Sequence, residues 1–294
     1  MGVRILYNSW MIFRPFGTTG ITLPVVGQGT WRLGEDASCA SDEIRALRMG
    51  IDMGMVHIDT AEMYGNGSTE ELVGRAISGL RDRLFLTSKV LPSNASFEGT
   101  LRACERSLQR LGTDWIDLYL LHWWSHQHPI EETLRAMDEL IRVGKIRFAG
   151  VSNLDTAQLS LTRRAGEGEP ILCDQICYHL MARGVEFSLI PYCLENSMAV
   201  VGYSPFGSGN FPSPQSRGGK LLEAIGKRHD KSPRQVALNF LTCRHPLFTI
   251  PKAASPEHVR ENAGSVGWEL TAGDMAEIDQ AFPPPKKETP LEII

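Results

Sequence analysis

Four side chains of types that move protons stand well apart in the chain: Asp59, Tyr64, Lys89 and His122. Each falls at or just past the end of a short apolar run of strand character. Asp59 closes the run 55–58 and Tyr64 lies in the loop beyond it; Lys89 closes 84–88, and His122 closes 116–121. A free phenol titrates near ~10 and is a reluctant acid at neutral pH, but a nearby cation favours its phenolate. Lys89 can supply that cation and Asp59 can hold the ammonium charged and in place. The His122 imidazole can donate to a carbonyl oxygen and orient it. Together the four can deliver a proton to a developing alkoxide, provided the strand ends converge.

The elements that would bring them together follow from the hydrophobic pattern. After Phe16-Gly17-Thr18-Thr19-Gly20, residues 21–26 read as a hairpin or first strand. Helix-period and strand-type stretches then alternate. Residues 42–53 precede the strand ending at Asp59, 70–78 precede the one ending at Lys89, and 97–111, stopped by Gly112, precede the one ending at His122. A helix entered at Pro129 runs to Arg142 and stops at Gly144, a residue that leaves a helix in left-handed conformation without a Cβ clash. Strands at 146–151 and 171–176 flank a helix at 155–164, and a helix near 185–195 leads into a strand at 199–203. A helix from Pro233 to Cys243, with proline in its first turn, precedes a last strand at 247–251.

Such repetition means parallel strands joined by crossover helices. It predicts an α/β fold, a (β/α)8 TIM barrel with an N-terminal β-hairpin and long loops at the strands' C-terminal ends, where these barrels build active sites. Two segments break the rhythm. Residues 204–219, holding Pro205, Pro212 and Pro214, read as a lid loop, and the tail 283–294, opening on three prolines, reads as a surface segment. Residues 1–12 read as an extension without regular structure, and 13–294 as one barrel domain.

Composition narrows the classes. At 294 residues, 42% hydrophobic and 22% charged with a net charge of -4, the chain gives no case for nucleic acid or membrane surfaces as partners. No run has the length to span a bilayer, and residues 1–13 lack the apolar core and cleavage site of a secretory signal. The six cysteines show no disulfide spacing, so they read as reduced thiols of a cytoplasmic protein. His122, His126 and His128 fit no common zinc spacing, and no metal is expected.

Seven short motifs in order carry a resemblance: Gly27-Gln28-Gly29-Thr30-Trp31, His57-Ile58-Asp59-Thr60-Ala61-Glu62-Met63-Tyr64-Gly65, Thr87-Ser88-Lys89, Leu120-Leu121-His122-Trp123, Gly150-Val151-Ser152-Asn153, Gly202-Tyr203-Ser204-Pro205 and Ile250-Pro251-Lys252. From about Phe13 to Phe282 the chain resembles an aldo-keto reductase. The resemblance implies a barrel that binds a nicotinamide dinucleotide without a Rossmann fold, and no Gly-x-Gly-x-x-Gly follows a strand here. It implies Tyr64 as general acid, with Lys89 and Asp59 tuning it and His122 orienting the carbonyl. Trp31 and Trp123 become pocket walls beside Tyr64 and His122, and Gly29, Thr30 and Trp31 border the cofactor.

By the same resemblance Ser152, Asn153 and Gln175 hold the carboxamide, and Tyr203 stacks on the nicotinamide ring. Ser204, Pro205, Gly207 and Ser208 meet the pyrophosphate, partly through backbone N–H groups. Lys252 matches the position that pairs with a 2′-phosphate, His258 stands where many relatives carry arginine, and Glu261 and Asn262 match adenine contacts. Ala253 replaces a usual hydroxyl residue. An imidazole grips phosphate less firmly than a bidentate guanidinium, so NADPH is expected with NADH as a second possibility.

The substrate expected is a small or moderately sized aldehyde or ketone such as methylglyoxal, an aldose or an aromatic aldehyde, because the 122–129 loop is short; the protein is expected as a monomer. Two rival readings stand beside this one: a nucleotide-binding regulatory subunit with little turnover, and a metal-dependent barrel hydrolase using His57, Asp59 and His122.

Overall fold

The computed structural model describes residues 11–166, 168–244 and 246–294. The extension expected at 1–12 therefore lies almost wholly outside the described residues. Met11 is described and is buried beside Val25 and Val26. A two-stranded antiparallel hairpin follows, β1 (Phe13–Pro15) with β2 (Thr22–Pro24). Eight parallel strands then run in simple sequence order: β3 (Gln28–Gly29), β4 (His57–Asp59), β5 (Phe85–Val90), β6 (Ile116–Leu121), β7 (Ile146–Ser152), β8 (Ile171–Cys177), β9 (Ala199–Tyr203) and β10 (Leu247–Thr249).

The sheet closes on itself. Val26 pairs with Thr249 and Gly29 with Lys252, both parallel, and Gly27 N–H and Gly29 N–H donate to Thr249 O and Pro251 O at 2.8 and 3.2 Å. Glycine is required at this seam, because a Cβ on Gly29 would come within 2.5 Å of Ile250 O. The result is the TIM barrel with N-terminal hairpin that the strand–helix repetition predicts.

The crossover helices are α1 (Ala40–Asp52), α2 (Ser68–Ile77), α3 (Phe97–Leu111), α4 (Ile130–Arg142), α5 (Thr156–Ala165) and α6 (Leu189–Glu195). The last crossover holds α7 (Arg217–His229) and α8 (Pro233–Thr242), and α9 (Pro256–Ala263) and α10 (Ala272–Ala281) follow β10. Helix α3 shows why the sequence folds this way. Ser96 caps its start by accepting from Gly99 N–H at 3.1 Å, and Gly112 ends it at φ 61°. Ala103, Cys104, Ser107, Leu108 and Leu111 recur three and four apart and bury one face. Burying a leucine such as Leu111 contributes about 1.5–3 kcal/mol. Helices α7 and α10 are not anticipated by the pattern. Gly218 and Gly219 sit in the first turn of α7 and hide it, and its stability comes from burying Leu222 and Ile225.

Alternation along the strands sorts the side chains into layers. Phe85, Leu118, Leu120, Cys173, Ala199, Val201 and Phe248 point inward, and Phe16 from the hairpin joins them in one apolar cluster inside the barrel. Two residues further along the same pleat, the inward positions turn polar. Phe85 and Thr87 lead to Lys89, Leu118 and Leu120 to His122, Cys173 to Gln175, and Ala199 and Val201 to Tyr203. A strand's period of two thus places the candidate residues above a filled core at one end of the barrel.

Candidate active site

Lys89 is fully buried, and its ammonium donates to three oxygens: Asp59 Oδ1 at 2.6 Å, Thr60 O at 2.8 Å and the Tyr64 hydroxyl at 3.3 Å. Asp59, also buried, uses its other oxygen to accept from Gln175 Nε2 at 2.6 Å, while Thr30 Oγ1 donates to its backbone carbonyl at 2.8 Å. Outside the barrel, Ser88 donates to Glu70 at 2.6 Å, and Glu70 pairs with Arg110 on α3. Because Ser88 precedes Lys89 on the pleat, fixing it outward fixes the lysine inward.

Tyr64 reaches Lys89 through a tight turn. Gly65, Asn66 and Gly67 all have positive φ (54, 52 and 100°), and a Cβ on Gly65 would collide with Ser68 Oγ. The turn ends where α2 begins, so the phenol is carried back toward the barrel axis. Its ring meets the His122 ring edge-on, with centroids 5.8 Å apart.

Electrostatics assign protonation states. Burial would lower the Lys89 pKa, but Asp59 and then Tyr64 outweigh it and hold the ammonium above its ordinary value. Burial pushes the Tyr64 phenol upward, and Lys89 pulls against that. The lysine acts in the direction expected from the sequence, yet desolvation of the phenolate exceeds it. Burial, with the Lys89 charge added, drives His122 down to about 3, so its imidazole is neutral at ordinary pH.

A cleft of about 780 Å³ opens above these residues. Gly29, Thr30, Trp31, Asp59, Tyr64, His122, Trp123, Ser152, Asn153, Gln175, Tyr203, Ser204, Pro205, Ser208 and Lys252, all singled out from the sequence, line it. Gly207, in the loop after β9, is buried and outside the lining. His258 and Glu261 are outside the lining, and Asn262 is buried without facing it. Trp124 also stays out of the cleft and pins its own loop through Nε1 to His128 O at 3.1 Å.

Internal bonds hold the floor. Asn153 donates to His122 O and Ser152 Oγ, both at 3.1 Å, and accepts from the Tyr203 hydroxyl at 2.8 Å. Asn153, Ser204 and Ser208 adopt φ of 60, 50 and 49°. Backbone held in such sparsely populated regions costs about 1–3 kcal/mol each and gathers at functional sites.

Sequence reasoning missed several lining residues: Arg32, Met63, Phe206, Gly209, Phe211, Arg234, and Ile293 with Ile294. The tail runs over the surface without helix or strand, as expected, and also contributes to the site. Glu288 accepts from Ser188 at 3.0 Å, and the last two residues reach the cleft. Arg234 did leave a signal in the sequence, a cation in a helix's first turn, where the macrodipole favours an acid.

The hydrolase trio does not form. His57 lies one layer down among Phe16 and Phe85, its Nε2 3.1 Å from Thr87 Oγ1, and both Asp59 oxygens are already engaged. Among the described residues one other group, Cys177, His179 and Glu292, gathers possible ligand atoms within 4.8 Å. There burial pushes the thiol up to about 12, and His179 Nδ1 accepts from Met181 N–H at 3.3 Å. The proton of the neutral ring then sits on the Nε2 that faces Glu292.

The model of the aldo/keto reductase family matches residues 25–282. The chain belongs to that family. This aldo-keto reductase is 44% identical over 278 residues to the methylglyoxal reductase YeaE of Escherichia coli (strain K12), covering 93% of this chain and 96% of the relative. It is 35% identical over 263 residues to the glyoxal reductase of Bacillus subtilis (strain 168), at 88% and 89% coverage. Among solved structures, a Klebsiella pneumoniae aldo-keto reductase in complex with NADPH superposes with a TM-score of 0.91 at 40% identity, covering 97% of this chain and all of that one. No helix among the described residues of this aldo-keto reductase is long and apolar enough to cross a membrane.

Proposed function

We propose that the chain reduces small aldehydes and ketones to alcohols with NADPH, using Tyr64 as the general acid. The observation that carries this is the single ammonium of Lys89 shared between Asp59 and the Tyr64 hydroxyl at the floor of the cleft. The donor set fits a dinucleotide. Lys252 and Arg234 line the cleft with no acidic partner among the described residues, and Tyr203, Asn153 and Gln175 offer a flat ring and amides. When bound, NADPH supplies the hydride that goes to the carbonyl carbon.

The chain's own residues do the rest. Tyr64 gives its phenolic proton to the carbonyl oxygen, and Lys89 stabilises the phenolate left behind until solvent returns a proton. Asp59, fixed by Gln175, keeps that lysine charged. His122, neutral and close to Tyr64, donates a hydrogen bond that orients the carbonyl; a group titrating near 3 holds no imidazolium proton to give at neutral pH. Trp31, Met63 and Trp123 supply apolar walls, which suits a small carbonyl compound, and the relatives named for methylglyoxal and glyoxal reduction support a small dicarbonyl.

The test is loss of reduced-nicotinamide absorbance with methylglyoxal. Tyr64→Phe is expected to lower kcat at least ~10²-fold while NADPH affinity is kept. Turnover retained in that variant rejects Tyr64 as the acid. Tight NADPH binding by the wild type with no turnover on a carbonyl panel points instead to a regulatory nucleotide-binding role.

A further inference from the structure

The adenosine end of the cleft lacks a cation that the sequence leads one to expect. His258 stands at the position where an arginine would grip phosphate, and it is exposed and outside the cleft lining. A guanidinium nevertheless reaches the cleft from a different helix. Helix α8 starts with Ser232 as its cap: Ser232 Oγ accepts from Gln235 N–H at 3.2 Å, and Gln235 Oε1 accepts from Ser232 N–H at 2.9 Å. Pro233 and Arg234 follow as the first helical residues.

A positive side chain there works against the helix dipole, and no carboxylate compensates it among the described residues. Two aromatic rings hold it. The Arg234 guanidinium carbon lies 4.8 Å from the Phe206 ring centroid and 5.5 Å from that of Phe211. Both phenylalanines, with Ser208 and Gly209, belong to the loop after β9 and line the same cleft as Lys252. Stacked against the two rings, the guanidinium is oriented without having its charge neutralised, so its N–H donors stay available.

The helix start is also tied to the segment it would assist. Ser232 Oγ donates to Glu261 at 2.6 Å, and Gln235 Nε2 donates to Glu261 O at 3.0 Å. The turn that carries Arg234 is thus anchored to α9, the helix that follows Lys252.

We propose that Arg234 is a phosphate ligand of the bound dinucleotide, acting with Lys252 and taking the part left vacant by His258. This rests on the dinucleotide reading above. The ligand chemistry is a phosphate ester, either the 2′-phosphate or the shared pyrophosphate, gripped by one lysine and one ring-stacked arginine.

Quenching of cleft tryptophan fluorescence measures affinity for NADPH and for NADH without turnover. Arg234→Gln is expected to weaken NADPH by about tenfold or more, the scale of one lost charge-assisted hydrogen bond. Loss confined to NADPH assigns Arg234 to the 2′-phosphate, and equal loss for NADH assigns it to the pyrophosphate. Arg234→Lys, which keeps the charge but not the planar fork, should fall between and serves as the measured variant if the glutamine protein does not fold. His258→Gln should stay within about twofold of wild type. NADPH affinity unchanged in a folded Arg234→Gln, or a tenfold loss in His258→Gln instead, overturns the proposal. A wild type that binds neither dinucleotide removes the functional reading and this inference with it, whereas wild-type binding that survives Arg234→Gln removes this inference alone.

Discussion

The two ends of the cleft are built on opposite plans. At the floor, Asp59, Lys89 and Gln175 come from barrel strands, are buried, and bond one another at 2.6 Å. At the outer end, Lys252 and Arg234 are exposed, belong to a loop and a helix start, and have no acidic partner among the described residues. The floor is held by the protein's own hydrogen bonds, so little there need reorganise while charge moves. The outer end is left electrostatically open, and a polyanion completes it. A cation inside a protein can thus be part of the fold or an unmet demand, and its partners tell which.

Equal charge removals at the two ends test this contrast. Lys89→Met should be the most damaging change. It leaves the Asp59 carboxylate buried and unpaired, which typically costs 3–5 kcal/mol, and it strips Tyr64 of its cation. A large fall in Tm together with loss of turnover is expected. Lys252→Met should leave Tm nearly unchanged, as substitutions at exposed sites usually do, while weakening NADPH. Comparable Tm losses in the two variants would show that the ends do not differ as described.

Gln175→Leu comes next. It removes a hydrogen bond to a buried carboxylate, an interaction of about 1.5–3 kcal/mol. We expect a smaller Tm loss than for Lys89→Met and a reduced kcat, because Asp59 is freer to turn away from the lysine. An unchanged kcat would mean that Lys89 alone fixes Asp59.

A further contrast concerns acid. Burial depresses His57 to about 4 and His122 to about 3, so the unfolded chain binds more protons than the folded one below the ordinary histidine value near ~6.5. The stability contributed by their neutral forms is therefore fully present above ~6.5 and is lost as pH falls toward 4 and 3. Thermal denaturation from pH 7 to 4 should show that decline, and His57→Gln should flatten part of it. The pH profile of kcat should show no limb near 6.5 from His122.

Much of this was legible because the barrel is periodic. Each short apolar run ends at the face where a parallel barrel builds its site, which is how Asp59, Lys89 and His122 could be gathered from the sequence. Tyr64 followed from its place in the loop after Asp59, within the motif 57–65 that carries the family resemblance. What alternation could not reveal was pairing across the barrel. Gln175 at a strand end reads equally well as a carboxamide ligand or as a partner of Asp59, and only closure brings the two within 2.6 Å. Arg234 was hidden for a related reason: its helix was legible, but its direction depends on Phe206 and Phe211 in an irregular loop. The tail does run over the surface as read, but three prolines announce only that helix stops, and say nothing of the last two residues reaching the cleft.

The seam between β3 and the segment after β10 has a consequence for how the protein is made. Val25, Gly27 and Gly29 bond to Thr249 and Pro251, from the opposite end of the sequence. Contacts of such long range form late, since the loop entropy must be met before they reward it. A nascent chain can hold the strands bearing Asp59, Lys89 and His122 long before it owns a cleft, and Lys252 enters only with the final closure. Dinucleotide capture during refolding would therefore time the last event of folding, lagging behind the recovery of helical signal.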